Sequence, residues 1–105
     1  MKTTSKNLVF NLGLNDKDTK RQEISTSDAK TIVTNLACKY FWWASIHENE
    51  GVYTHENGEI VIERSFQIWT FTDKDYMQFV EDLKTIFNQE SVMVTILSWA
   101  KTNFL

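Results

Sequence analysis

The chain has no proline, only three glycines and a single cysteine among its 105 residues. With so few turn formers its loops must be short, and Gly51 and Gly58 are expected at special backbone positions, Gly51 as a bulge in a strand. One cysteine, Cys38, excludes an intramolecular disulfide and fits a reducing compartment. No base or anion-stabilising partner lies near Cys38 in sequence, so it reads as a packing residue rather than a nucleophile. No apolar run approaches the ~18 residues of a membrane span. The opening segment, MKTTSKNLVFNLGLNDKD, is too interrupted for a signal peptide. These absences lead to the expectation of a cytoplasmic protein without a membrane partner. Gly-rich phosphate loops, Walker motifs, Cys-x-x-Cys pairs and Ser-His-Asp spacings are missing too, so no cofactor and no metal is implied. An N-terminal-proline tautomerase is ruled out by the lack of proline.

What is present is a core. Hydrophobic residues make up 42% of the chain and aromatics 13%, enough for one domain over residues 1–105, with the polar residues 1–6 expected to fray. The net charge is −3, an ordinary solubility charge that argues against binding a phosphate backbone.

Asn57-Gly58 between two extended runs is a strong hairpin signal, because a two-residue type I′ turn needs φ > 0 at both positions. With that turn, residues whose numbers sum to a constant face each other: Tyr53 with Ile62, Asn49 with Phe66, His47 with Ile68 and Ile46 with Trp69. Upstream, Leu8, Phe10, Leu12 and Leu14 alternate with polar neighbours and predict a half-buried strand. Asn15 to Ser25 is a charged loop, either a solvated connection or a ligand or partner loop. Ser25 to Asp28 offers N-caps for an amphipathic helix over 28–41, with Ala29, Ile32, Val33, Leu36, Ala37 and Tyr40 on one stripe. A polar strand over 44–56 suits a sheet edge. Thr72 and Asp73 open a second helix with Tyr76, Phe79, Val80, Leu83, Ile86 and Phe87 on its apolar face, closed by Asn88. Val92 to Trp99 is a last, apolar strand. The order β-α-β-β-α-β with right-handed crossovers predicts an α+β, ferredoxin-like sandwich: a four-stranded antiparallel sheet with both helices on one face.

Gly13-Leu14-Asn15-Asp16-Lys17-Asp18-Thr19-Lys20, Gln22-Glu23, Gly51-Val52-Tyr53 with His55 and Gly58, and Asn88-Gln89-Glu90-Ser91 together resemble a set of small uncharacterised proteins from phages and mobile elements of Gram-positive bacteria. The resemblance implies an accessory role in phage or bacterial cytoplasm and transfers no catalytic residue. The fold pattern also resembles dimeric α+β barrel domains, an analogy of fold alone.

Three constellations invite a functional reading. Glu48, Glu50, Glu56, Glu59 and Glu63 with His47 and His55 look like metal ligands, but the two histidines are about 26 Å apart at ~3.3 Å per residue, so a solvated edge explains them better. His47, Asn49, Tyr53 and Arg64 share the helix-facing parity of the expected hairpin and would line a pocket between sheet and helices, unless a bulge turns them outward. Trp42, Ile46, Trp69 and Phe71, with Trp99 from the last strand, would form an apolar patch on the opposite face, suited to a homodimer interface or a protein partner. RNA recognition also uses sheet aromatics, but the third strand here reads Glu63-Arg64-Ser65-Phe66 and lacks a basic, Gly-rich motif. The expectation from sequence is therefore a homodimeric protein-interaction or regulatory module without catalysis. The alternative is a small-molecule-binding domain or cofactor-independent enzyme using the pocket of His47, Asn49, Tyr53 and Arg64.

Overall fold

The computed structural model describes residues 2–103, with side chains described over 6–97. Six elements follow in order: β1 (Lys2–Gly13), α1 (Thr26–Tyr40), β2 (Ala44–Thr54), β3 (Ile60–Thr72), α2 (Met77–Ile86) and β4 (Met93–Asn103). The four strands form one antiparallel sheet in the order β2-β3-β1-β4, which is the ferredoxin-like arrangement with β1 and β3 central. β1 begins at Lys2, opposite Asn103, so the segment expected to fray continues the strand.

Alternation decides which face of the sheet is covered. Leu8, Phe10 and Leu12 of β1 and Phe66 and Ile68 of β3 are fully buried and pack with Ala29, Val33 and Ala37 of α1 and Phe79, Val80 and Leu83 of α2. Both helices thus lie on one face. Phe79 is the centre of the aromatic core, with ring centroids 5.0 Å from Phe10 and 4.8 Å from Phe41, both edge-on. α1 starts where the sequence signals it: the Ser25 hydroxyl accepts the Asp28 N–H at 3.1 Å. α2 starts later than its first cap candidates, because Thr72 and Asp75 spend their side chains on the turn before it, accepting the Lys74 and Met77 N–H groups. It ends at Ile86, and Asn88, two residues beyond with a φ of 48°, supplies the left-handed stop. The helices are tied to each other by the Tyr40 hydroxyl, which donates to Asp82 at 2.5 Å, while Gln78 donates to the other oxygen at 2.9 Å. That bond holds the Asp82 carboxyl below its ordinary pKa and pushes the Tyr40 phenol up.

The hairpin differs from its expected form, and the difference decides the site. Only Gly58 has positive φ (86°), not Asn57. The Gly58 N–H donates to the His55 carbonyl and the His55 N–H to the Glu59 carbonyl, so the connection is the three residues Glu56, Asn57 and Gly58. The Asn57 side chain accepts the Glu59 N–H at 2.9 Å, and Gly58 takes the left-handed position that follows such a turn. One extra loop residue shifts the register by one. Val52 faces Ile62, Glu50 faces Arg64, Asn49 faces Ser65, His47 faces Gln67 and Ile46 faces Ile68. Because side chains alternate with period two, every β2 side chain lies on the face opposite to that expected. Pairing runs through Gly51 without a shift, so no bulge forms there; a register shift lies instead between β1 and β4, at Asn7 and Leu8.

Candidate functional site

The corrected register separates the residues expected to act together. His47, Asn49 and Tyr53 lie on the outer face of the sheet, away from the helices. Arg64 lies on the helix side opposite Glu50, its guanidinium 3.8 Å from that carboxylate. No pocket between sheet and helices gathers all four. The second group is also redistributed. Ile46 faces Ile68 and packs against the core, so it leaves the outer patch. Trp42 is 78% exposed and touches Phe71 at the rim. Trp69 and Phe71 stand on the outer face as expected. The side chain of Trp99 is outside the described residues.

Trp43 takes the place intended for Ile46. Its ring stacks on Phe71 with centroids 5.8 Å apart and planes at 22°. The buried Thr70 hydroxyl donates to the Trp43 carbonyl at 2.5 Å and fixes the link between α1 and β2. Trp43, Phe71 and Trp69 border a recess of about 260 Å³ that also includes Asn7 and Leu97. From this aromatic end a polar field extends along β1, β2 and β3. His47, Gln67 and Asn11 form one row across the three strands, and Asn49, Ser65 and Gly13 form the next. Within it the Ser45 hydroxyl and His47 Nε2 lie 2.6 Å apart, the His47 ring meets Trp69 edge-on, and the Trp69 indole N–H donates to Gln67 at 3.3 Å. The arrangement offers flat rings for stacking and amides that both donate and accept, which suits a heteroaromatic ligand.

One corner of the field was invisible in the sequence. The Glu63 carboxylate lies directly over Gly13, where an added Cβ would come within 2.8 Å of both oxygens. Oε2 accepts the Asn15 N–H at 2.9 Å. The loop that follows is exposed over residues 17–21 but is tied at its base to residues 88–89. Asp16 accepts the N–H groups of Asp18 and Thr19 and the Asn88 amide, and Gln89 donates to the Asn15 carbonyl at 2.7 Å. The Asn88 amide and those two N–H groups hold the Asp16 carboxyl below its usual pKa. These bonds join two stretches of the sequence resemblance, 13–20 and 88–91, in one structural clip.

A second concavity, an open trough of about 510 Å³ between α1 and β2, is lined by Ser27, Lys30, Thr34, Asn35 and Glu48. Lys30 and Glu48 face each other across it at 4.0 Å. Among the described residues no group of three or more His, Cys, Asp or Glu is placed to hold a metal ion, and no helix is long and apolar enough to cross a membrane.

No protein-family model matches the sequence, and comparison with curated proteins gives no match. Solved structures do match in fold. A phage SAM lyase in complex with S-methyl-5′-thioadenosine is similar with a TM-score of 0.60 and 22% identity, covering 95% of this chain and 90% of that one. The apo state of a phage SAM lyase is similar with a TM-score of 0.58 and 22% identity, covering 96% and 90%. The chain therefore shares its α+β fold with phage proteins. The likeness also corrects the expectation of a module without catalysis: both matched structures are of an enzyme, one of them holding a small-molecule ligand, which favours the enzyme or small-molecule alternative.

Proposed function

We propose that this chain is a phage-encoded, cytoplasmic enzyme of the SAM lyase kind that holds a thioadenosine nucleoside on the outer face of its sheet. The observation that carries the reading is the likeness of fold, across nearly the whole chain, to a lyase holding S-methyl-5′-thioadenosine. The surface chemistry supports it. A purine asks for a ring to stack on and for amide donors and acceptors at its edge. Trp43, Phe71 and Trp69 supply rings, and Asn11, Asn49 and Gln67 supply amides. His47 and Tyr53 complete the face, whereas Arg64 has no part in it.

The chemistry asks little of an acid. SAM (S-adenosylmethionine) is a sulfonium, and S-methyl-5′-thioadenosine keeps the methyl and adenosyl groups of that sulfur. Its release breaks the remaining carbon–sulfur bond: an oxygen of the substrate's own carboxylate attacks the carbon bonded to sulfur and closes a lactone, the C–S electron pair goes to sulfur, and the sulfonium and carboxylate charges cancel. The leaving group needs no proton, so the protein contributes by orienting the substrate and excluding water. Aromatic faces also attract a sulfonium cation. An open sheet face excludes water only when covered, and a second copy laid against Trp42, Trp69 and Phe71 is the cover we propose.

Incubation of the purified protein with SAM and chromatographic detection of S-methyl-5′-thioadenosine tests the reading. Loss of SAM with matching appearance of the nucleoside is expected, slowed by Asn49→Ala and Gln67→Ala. Intact SAM, together with no thermal shift on adding S-methyl-5′-thioadenosine, would sink it.

A further inference from the structure

We infer that Glu63 binds the cationic amino-acid arm of the substrate, and so distinguishes the charged substrate from its neutral nucleoside product. The inference rests on the reading of the outer sheet face as the nucleoside site. Five glutamates lie on the β2–β3 hairpin, and the structure gives them different fates. Glu48 meets Lys30 and Glu50 meets Arg64, all on the helix side. Glu56 lies in the turn and Glu59 directly follows it. Glu63 alone belongs to the outer face. Among the described side chains it is the sole carboxylate at an outer-facing strand position, with Gly51 opposite it and Asn49, Ser65, His47 and Gln67 as the polar positions next along the face.

Its carboxylate is placed rather than loose. The Asn15 N–H holds Oε2, and the missing side chain at Gly13 leaves the space it fills. Among the described residues no cation pairs with it, and Oε1 has no hydrogen-bond partner. A half-buried, oriented carboxylate with a vacant oxygen and no counterion is an attractive position for an ammonium group, which offers three donors. From Gln67 to Glu63 is four residues along β3, about 13 Å at ~3.3 Å each. A nucleoside bound over Gln67 and His47 would therefore direct an extended arm along the strand toward Glu63. SAM carries both a sulfonium and an α-ammonium, whereas S-methyl-5′-thioadenosine carries neither. Loss of the arm removes the contact with Glu63 and leaves the product held by the aromatic rings and the amides of the face alone.

The variant Glu63→Gln keeps an oxygen for the Asn15 N–H and nearly the same volume, so the fold is retained and its melting temperature serves as the control. Initial rates give KM for SAM, and calorimetry gives Kd for S-methyl-5′-thioadenosine. Should the variant be inactive, it is titrated with SAM directly. Expected are a weakening for SAM of about tenfold and an unchanged Kd for the neutral nucleoside. Equal SAM affinity in both proteins overturns the inference. So does an equal loss for both ligands, which would mark Glu63 as purely structural. A wild-type protein that binds neither ligand takes down the functional reading and this inference together.

Discussion

Gly13→Ala is the sharpest test of the corner where β1 meets β3. An alanine methyl at position 13 would sit 2.8–2.9 Å from three atoms of the Glu63 carboxyl group, inside any tolerable contact. The carboxylate is the far end of a flexible side chain, so it yields rather than the backbone. Yielding breaks its bond to the Asn15 N–H, a hydrogen bond to a charged group worth about 1.5 kcal/mol at the low end appropriate to a half-exposed site. Against this, replacing glycine by alanine in a strand position gains about 0.5–1 kcal/mol through the unfolded chain. The net expectation is a loss of about 0.5–1 kcal/mol. In a Glu63→Ala background the obstacle is gone, and the same Gly13→Ala change should stabilise by about 0.5–1 kcal/mol. Urea unfolding of the four proteins in this cycle measures both values. The same sign in both backgrounds would refute the placement of Glu63 over Gly13.

Other perturbations follow from the core and its ties. Phe79→Ala removes a fully buried ring that meets Phe10, Phe41 and Tyr40, and should lower unfolding stability by about 3–5 kcal/mol in denaturant titrations. Tyr40→Phe should flatten the pH dependence of stability at both ends. The Asp82 pKa is lowered from 3.8, so its share is present above that value and is lost as pH falls through the folded pKa; the Tyr40 pKa is raised from 10.0, so its share is present below that value and is lost as pH rises through it. Urea midpoints across the pH range that show the same acid and alkaline slopes in both proteins would rule out the bond as their source.

The chain's periodicities were enough to order six elements, because each carries its own local signal: Leu8-Phe10-Leu12 at period two, Val33-Ala37 and Phe79-Leu83 at period four, Ser25 as a cap. What periodicity cannot carry is register. Asn57-Gly58 is compatible with a two-residue or a three-residue connection, and the choice rests on whether Asn57 takes positive φ or instead turns its side chain to the Glu59 N–H. That one residue moved His47, Asn49 and Tyr53 to the outer face, left Arg64 on the other and put Ile46 in the core. The aromatic patch was partly legible, since Trp69 and Phe71 alternate along β3 whatever the register of β2. Glu63 over Gly13 had no local signal at all. The two are 50 residues apart, and only the pairing of β1 with β3 brings them together. The clip between Asp16 and Asn88 was equally hidden, because a charged loop reads as solvated until its long-range partner is known.

The account stands on the outer sheet face as the place where a thioadenosine nucleoside binds. Titration of isotope-labelled protein with S-methyl-5′-thioadenosine, followed by amide and indole chemical shifts, addresses that claim most directly. Shifts should concentrate on Asn11, His47, Asn49 and Gln67 and on the Trp43 and Trp69 indoles, and leave α1 quiet. Shifts confined to Ser27, Lys30, Thr34 and Asn35 in the trough beside α1, or no shifts at millimolar nucleoside, would contradict it.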